Sequence, residues 1–188
     1  MRDNATIENK LGLPKNIILV GFMGCGKSTI GRQISLQLNY PLIDTDNLIS
    51  ESMGMSIPDI FEKHGEEYFR SLETELITQL TAKDTENSVI STGGGLPVRP
   101  ENRPILNKLG YVVWLKASVD SIIERTQSTS HRPLLQTSNP KLTIQNLLAE
   151  RESAYSDGAD LVINTDDLAI ADTAHGIIES ARYYFSKY

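Results

Sequence analysis

Gly21-Phe22-Met23-Gly24-Cys25-Gly26-Lys27-Ser28-Thr29 is the stretch that decides the fold of this chain. It meets the phosphate-loop pattern G-x-x-x-x-G-K-[ST] at every fixed position. Before it stands Asn16-Ile17-Ile18-Leu19-Val20, an apolar, β-branched run that predicts a buried parallel strand. After it, Ile30, Ile34 and Leu38 recur at i, i+4 and i+8 and predict one face of a helix. Gly21, Gly24 and Gly26 let the backbone turn so that N–H groups and the helix N-terminus face an anion. Lys27 can reach the outer phosphates, and the Ser28 hydroxyl can bind the Mg²⁺ they carry. A plain glycine-rich turn with an exposed lysine is the alternative, and the flanking strand and helix disfavour it. The stretch predicts binding of a nucleoside triphosphate.

The rest of the composition sets bounds. With 188 residues, 39% hydrophobic and 22% charged, the chain suits one soluble α/β domain, residues 1–188. A net charge of −6 argues against non-specific binding to nucleic acid. No apolar run approaches a membrane span. Residues 1–15 carry Asp3 and Glu8 without a hydrophobic segment, so they read as a flexible tail rather than a signal peptide, and the cytoplasm is the expected compartment. A single cysteine allows neither an internal disulfide nor a cysteine-based zinc site. Cys25 lies inside the loop, where a small tolerated side chain is the simpler reading because phosphoryl transfer needs no thiol.

Further along, Tyr40-Pro41-Leu42-Ile43 predicts a short strand ending at Asp44-Thr45-Asp46. Carboxylates there lie on the edge where open α/β sheets bind ligands, one suited to a metal shell and the other to a substrate hydroxyl. The alternative, that Asp46 or Thr45 simply caps the next helix, is disfavoured because the phosphate loop already places phosphate chemistry at this edge. Asn47 to Gly65 gives interrupted helical signals, with Ser56-Ile57-Pro58-Asp59 as a helix start and His64-Gly65 as its end. Phe69, Leu72, Leu76, Ile77 and Leu80 form the apolar stripe of a longer helix. Arg70 and Glu73 are placed off that stripe, where a surface ion pair is as good a reading as a functional one.

Asn87-Ser88-Val89-Ile90-Ser91 predicts a third strand, running into Thr92-Gly93-Gly94-Gly95, where consecutive glycines imply close approach of a substrate or a left-handed turn. That strand lacks the terminal Asp of a Walker B motif, leaving Asp44 as the carboxylate of suitable type for the metal. Tyr111-Val112-Val113-Trp114-Leu115 predicts a fourth strand, and Ser118 caps a helix carrying Ile122, Ile123 and Arg125. The polar connection from Thr126 to Pro140 encloses His131-Arg132-Pro133-Leu134-Leu135 and reads as a lid. Arg125 and Arg132 can bring positive charge onto transferring phosphates, against the alternative of two solvent-facing arginines. A helix from Thr143 to Tyr155, a strand at Asp160–Asn164 and a helix at Ile170–Phe185 complete the chain.

Together these residues resemble the shikimate kinase family. The resemblance rests on Gly21–Thr29, Leu42-Ile43-Asp44-Thr45-Asp46, Ile60-Phe61 with Gly65-Glu66 and Phe69-Arg70, Thr92-Gly93-Gly94-Gly95, Arg132-Pro133-Leu134-Leu135, and Arg151 with Tyr155 four residues on. It spans Asn16 to Asn164. It implies a three-layer α/β/α P-loop kinase fold: a five-stranded parallel sheet of order 2-3-1-4-5, a lid at about 126–142 and a substrate-binding helical segment. The implied activity is phosphorylation of the 3-hydroxyl of shikimate by ATP with Mg²⁺, giving shikimate 3-phosphate and ADP on the route to chorismate and aromatic amino acids. The implied state is a monomer.

The resemblance also assigns roles. Shikimate would be held by Asp46, Arg70, Gly94 and Arg151, with Glu73, Gly93 and Gly95 lining the same pocket. Two arginines suit its carboxylate, and Asp46 suits its hydroxyls. ATP would lie along Gly24, Cys25, Gly26, Lys27, Ser28 and Thr29, with Arg125 packed on the adenine. Lys27 and Arg132 would stabilise charge on the γ-phosphoryl group, and Asp46 would orient or deprotonate the hydroxyl. Ser28 would bind Mg²⁺ directly and Asp44 through water. One stretch departs from the family: Thr165-Asp166-Asp167-Leu168 lacks the basic residue often found in the adenine loop. A gluconate or nucleoside monophosphate kinase is the nearest rival, but Asp46, Arg70 and Arg151 suit a small polyhydroxy acid better. A non-catalytic sensor is disfavoured because Lys27, Asp46 and Arg132 are all present, and a G-protein switch because Asn164-Thr165-Asp166-Asp167 lacks the guanine-reading lysine.

Overall fold

The computed structural model describes residues 16–127 and 139–186. Strand β1 (Asn16–Val20) is wholly buried and sits at the centre of the sheet. β3 (Ser88–Ser91) pairs on one side of it and β4 (Tyr111–Lys116) on the other. β2 (Leu42–Asp44) and β5 (Leu161–Asn164) form the edges, giving five parallel strands in the order β2-β3-β1-β4-β5. The expected order is therefore the observed one.

Because strand side chains alternate, β1 feeds two cores. Ile17 and Leu19 pack with Ile30 and Ile34 of α1 (Lys27–Leu38) and with Ala174, Ile177 and Ala181 of α8 (Ile170–Phe185). Ile18 and Val20 face the other way, onto Ile77 of α4 (Glu66–Ala82), Leu106 of α5 (Asn102–Leu109) and Tyr155 of α7 (Pro140–Ser156). Three layers follow from that alternation. A smaller apolar cluster, centred on Ile49, Ile60 and Phe69, joins α2 (Thr45–Met53), α3 (Ile57–His64) and α4 beside the sheet.

Ser56 and Ser118 cap as expected, α3 through Asp59 N and α6 (Val119–Thr126) through Ser121 N. The structure corrects four other expectations. Asp44, not Thr45 or Asp46, caps α2, its side chain accepting from the backbone N–H groups of Asp46 and Asn47. Helix α7 starts at Pro140 rather than Thr143, because Asn139 accepts from Leu142 N and Pro140 needs no donor in a first turn. The sequence reading also passed over α5 and the 3₁₀ turn Leu96–Val98. Finally, Glu73 is not off the buried stripe of α4 but on it, i+4 from Phe69 and i−4 from Ile77. A carboxylate occupying a core position hides that face from any count of apolar residues.

Candidate active site

The carboxyl ends of β1, β2 and β3 open onto one cleft of about 840 Å³. The phosphate loop forms its floor. Gly21, Gly24 and Gly26 all take positive φ, and Gly26 caps α1 from the left-handed region. At Gly21 a Cβ would collide with the Leu115 carbonyl, so only glycine fits between the loop and β4. Lys27 Nζ donates to the carbonyls of Gly21 at 2.7 Å and Phe22 at 2.9 Å. The Ser28 hydroxyl donates to Asp44 Oδ2 at 3.4 Å. That pair offers two hard oxygen donors beside the loop. Mg²⁺ keeps several waters and takes phosphate oxygens, so one or two such protein oxygens fit it.

The other end of the cleft is built around charge. Arg70 Nη1 donates to Glu73 Oε2 at 2.8 Å, and Nε and Nη2 both donate to Glu66 Oε1. Its guanidinium lies 5.5 Å from the Phe69 ring centre and 5.9 Å from that of Phe61. Burial alone would lower the Arg70 pKa, but Glu73 and Glu66 outweigh it and hold the guanidinium above its ordinary value. Glu73 is 1% exposed. Burial pushes its carboxyl up to about 7, opposed by Arg70 and reinforced by the charge of Asp46.

The glycine triplet after β3 makes the back wall. A Cβ on Gly93 would fall on Asp46 Oδ1 and lie 2.6 Å from Glu73 Oε1, so two carboxylates converge there. A Cβ on Gly95 would fall on the Arg70 guanidinium. Gly94 lies against the phosphate loop, its Cβ position 3.4 Å from the Gly21 carbonyl. Gly93 N–H donates to Thr45 Oγ1 at 2.9 Å, which ties the triplet to the start of α2. From across the sheet comes Arg151 of α7, its guanidinium 5.6 Å from the Phe22 ring centre.

The cleft thus gathers Gly24, Gly26, Lys27, Ser28, Thr29, Asp44, Asp46, Arg70, Glu73, Gly93, Gly94, Gly95, Arg125 and Arg151 from the sequence reading. Cys25 is 1% exposed, so its side chain belongs to the core and its backbone to the loop. Arg132 and His131 lie outside the described residues, as does most of the expected lid. Given no site role from the sequence were Met23, Ile57, Pro58, Phe61, Phe69, Ser91 and Thr92, which also line the cleft. Phe61 and Phe69 could have been found from the cations near them; by spacing alone they are core residues. Arg125 also does something unforeseen. It donates to Thr165 Oγ1 at 3.0 Å and to the Thr165 carbonyl at 2.7 Å, and Thr165 Oγ1 lies 3.2 Å from the Cys25 carbonyl. The acidic loop has a structural use, since the Asp166 carboxylate accepts from Ser118 N at 2.9 Å.

A phosphate loop facing two arginines and a carboxylate, in one cleft on a parallel sheet, defines a small-molecule phosphotransferase of the P-loop class. The family model described as shikimate kinase matches residues 23–182. The shikimate kinase of Marinomonas sp. (strain MWYL1) is 43% identical over 89% of this chain and 92% of its own length. That of Caldanaerobacter subterraneus subsp. tengcongensis is 43% identical over 88% of this chain and 95% of its own. The solved shikimate kinase from Acinetobacter baumannii in complex with shikimate is 37% identical, with a TM-score of 0.85 over 96% of this chain and 97% of that one. This chain belongs to the shikimate kinase family.

Proposed function

We propose that this protein transfers the γ-phosphoryl group of ATP to the 3-hydroxyl of shikimate, yielding shikimate 3-phosphate and ADP. The observation that carries the reading is the continuity of the cleft: Lys27 and Ser28 share one cavity with Asp46, Arg70 and Arg151. ATP lies along Gly24–Thr29, and Arg125 packs on its base. Shikimate enters beside the glycine triplet. Arg70 and Arg151 take its carboxylate by charge-assisted hydrogen bonds, and Asp46 takes hydroxyls. Glu73 holds Arg70 in place.

The chemistry then asks mainly for position and charge. Asp46 accepts a hydrogen bond from the 3-hydroxyl and aims its oxygen at the phosphorus. Lys27 and Arg132 offset negative charge gathering on the phosphoryl oxygens. Ser28 and Asp44 hold Mg²⁺, which when bound neutralises phosphate charge. The family resemblance assigns closure over the bound pair, which would guard ATP from hydrolysis, to residues 126–142, of which 128–138 lie outside the described residues.

We further read the chain as one domain acting as a monomer in the cytoplasm; the tail expected at residues 1–15 lies outside the described residues. What supports this is that Lys27, Asp46, Arg70, Arg125 and Arg151 of this chain line one cleft together, and that ATP, the proposed co-substrate, is a metabolite of the cytoplasm. Among the described residues no helix is long and apolar enough to cross a membrane.

A coupled assay of ADP release with Mg-ATP tests the reading, with shikimate, quinate, gluconate and AMP as acceptors. ADP release dependent on shikimate and far slower with the others is the expected result. Turnover with gluconate or AMP instead would refute the acceptor assignment.

A further inference from the structure

Tyr155 is one of the largest side chains wholly inside the molecule, at 1% exposure, and it belongs to none of the roles above. Pure packing at that place would be satisfied by phenylalanine. A phenol so deep has to find partners for its oxygen. Its hydroxyl donates to the Gly94 carbonyl at 2.5 Å, across 61 residues of sequence. Arg151 stands one helical turn back on α7, and its positive charge acts on the phenol oxygen. The ring cannot drift, because it stacks on Trp114 of β4 with centroids 5.7 Å apart and planes at 28°.

Both partners face the acceptor end of the cleft. A peptide unit is planar, so fixing the Gly94 carbonyl also fixes the Gly95 N–H. Gly95 is the residue on which the Arg70 guanidinium rests. One hydroxyl therefore reaches Arg70 through a peptide plane, from a residue one helical turn along α7 from Arg151. Resting on the acceptor reading above, we propose that Tyr155 is a positioning residue for shikimate capture, its hydroxyl fixing the Gly94–Gly95 peptide on which Arg70 rests, one helical turn from Arg151 on α7. It touches no reacting atom, so it acts on acceptor affinity and spares the nucleotide.

Tyr155→Phe keeps the ring on Trp114 and removes only the hydroxyl. The expected result is a shikimate KM raised about tenfold, with the ATP KM within about twofold of wild type and kcat little changed. A role in packing alone would leave both KM values untouched or raise them together, and either pattern overturns the proposal. A second readout uses the wild-type protein and needs no variant. Trp114 is the single tryptophan of the chain. Its emission should change on adding shikimate without nucleotide, because the acceptor draws on the groups that hold Tyr155. Emission indifferent to saturating shikimate overturns the proposal as well. The two levels of inference separate cleanly: a wild-type enzyme without shikimate-dependent ADP release refutes the acceptor reading itself. A wild-type enzyme that turns over, beside a Tyr155→Phe variant with unchanged shikimate KM, refutes only the role of Tyr155.

Discussion

Arg70 and Glu73 stand one turn apart on α4 and meet at 2.8 Å, with the carboxylate 1% exposed and the guanidinium side chain 16% exposed. Among the described residues Glu73 Oε1 has no hydrogen-bond partner. An acid is thus held in the core chiefly by one cation, whose other edge donates to the exposed Glu66 carboxylate.

That arrangement has a signed pH dependence. The Glu73 pKa rises from 4.5 to about 7 in the folded protein. Between those values the folded state holds a proton that the unfolded state has released, so stability from this group falls as pH rises. It is fully present below about 4.5 and lost above about 7. Glu73→Gln removes the titration. Its Tm relative to wild type should be more favourable at about pH 8 than at about pH 5. Parallel Tm profiles for the two proteins would contradict a raised Glu73 pKa.

Gly95→Ala places a methyl group where the Arg70 guanidinium now lies. Arg70 must swing away from Glu73, and the shikimate KM should rise by about tenfold or more, while the ATP KM stays near wild type. Steady-state kinetics with each substrate varied in turn checks this. An unaltered shikimate KM would mean that Arg70 is not the carboxylate ligand.

Thr165→Val keeps the shape of a buried side chain but leaves Arg125 Nη1 and the Cys25 carbonyl short of a partner. The nucleotide end should loosen, raising the ATP KM about three- to tenfold with little effect on shikimate. Equal weakening of both substrates would show that Thr165 supports the whole fold rather than the nucleotide edge.

Asp46→Asn retains the size of the side chain and removes its charge. Shikimate-dependent turnover should fall by at least about a hundredfold, while calorimetric titration still shows Mg-ATP binding. Near-normal turnover would take Asp46 out of the transfer step.

The parts legible in the sequence were those governed by local chemistry. Gly21–Thr29 announces itself because the loop geometry allows few residues at its fixed positions, and Asn16–Val20 because a central parallel strand must be apolar on both faces. Asp44 and Asp46 were found by their place after a strand, yet which of them capped α2 depended on backbone angles that no spacing reveals. Glu73 was misplaced because burial was inferred from apolarity, and here the core accepts a charge that Arg70 balances. Thr165 and Tyr155 could not have been given their contacts at all. Their partners, Cys25 and Gly94, are 140 and 61 residues away and meet them only once the sheet has formed.

The sheet order itself divides the labour of the molecule. β2 and β3 lie on one side of β1, and β4 and β5 on the other. Asp46, Arg70 and Glu73 arrive between β2 and β3 and the glycine triplet just after β3, whereas Arg125 and Thr165 follow β4 and β5. On the proposed roles, the choice of acceptor is therefore written in one uninterrupted passage of chain, and the grip on the nucleotide in the phosphate loop before it and in Arg125 and Thr165 after it. Evolution, or an engineer, could replace the passage from Thr45 to Gly95 as a cassette, keep Asp44 beside Ser28, and inherit the phosphate donor unchanged. Arg151 alone among these groups crosses the divide, so a transplant that forgets it would carry over only half of the recognition of an acid.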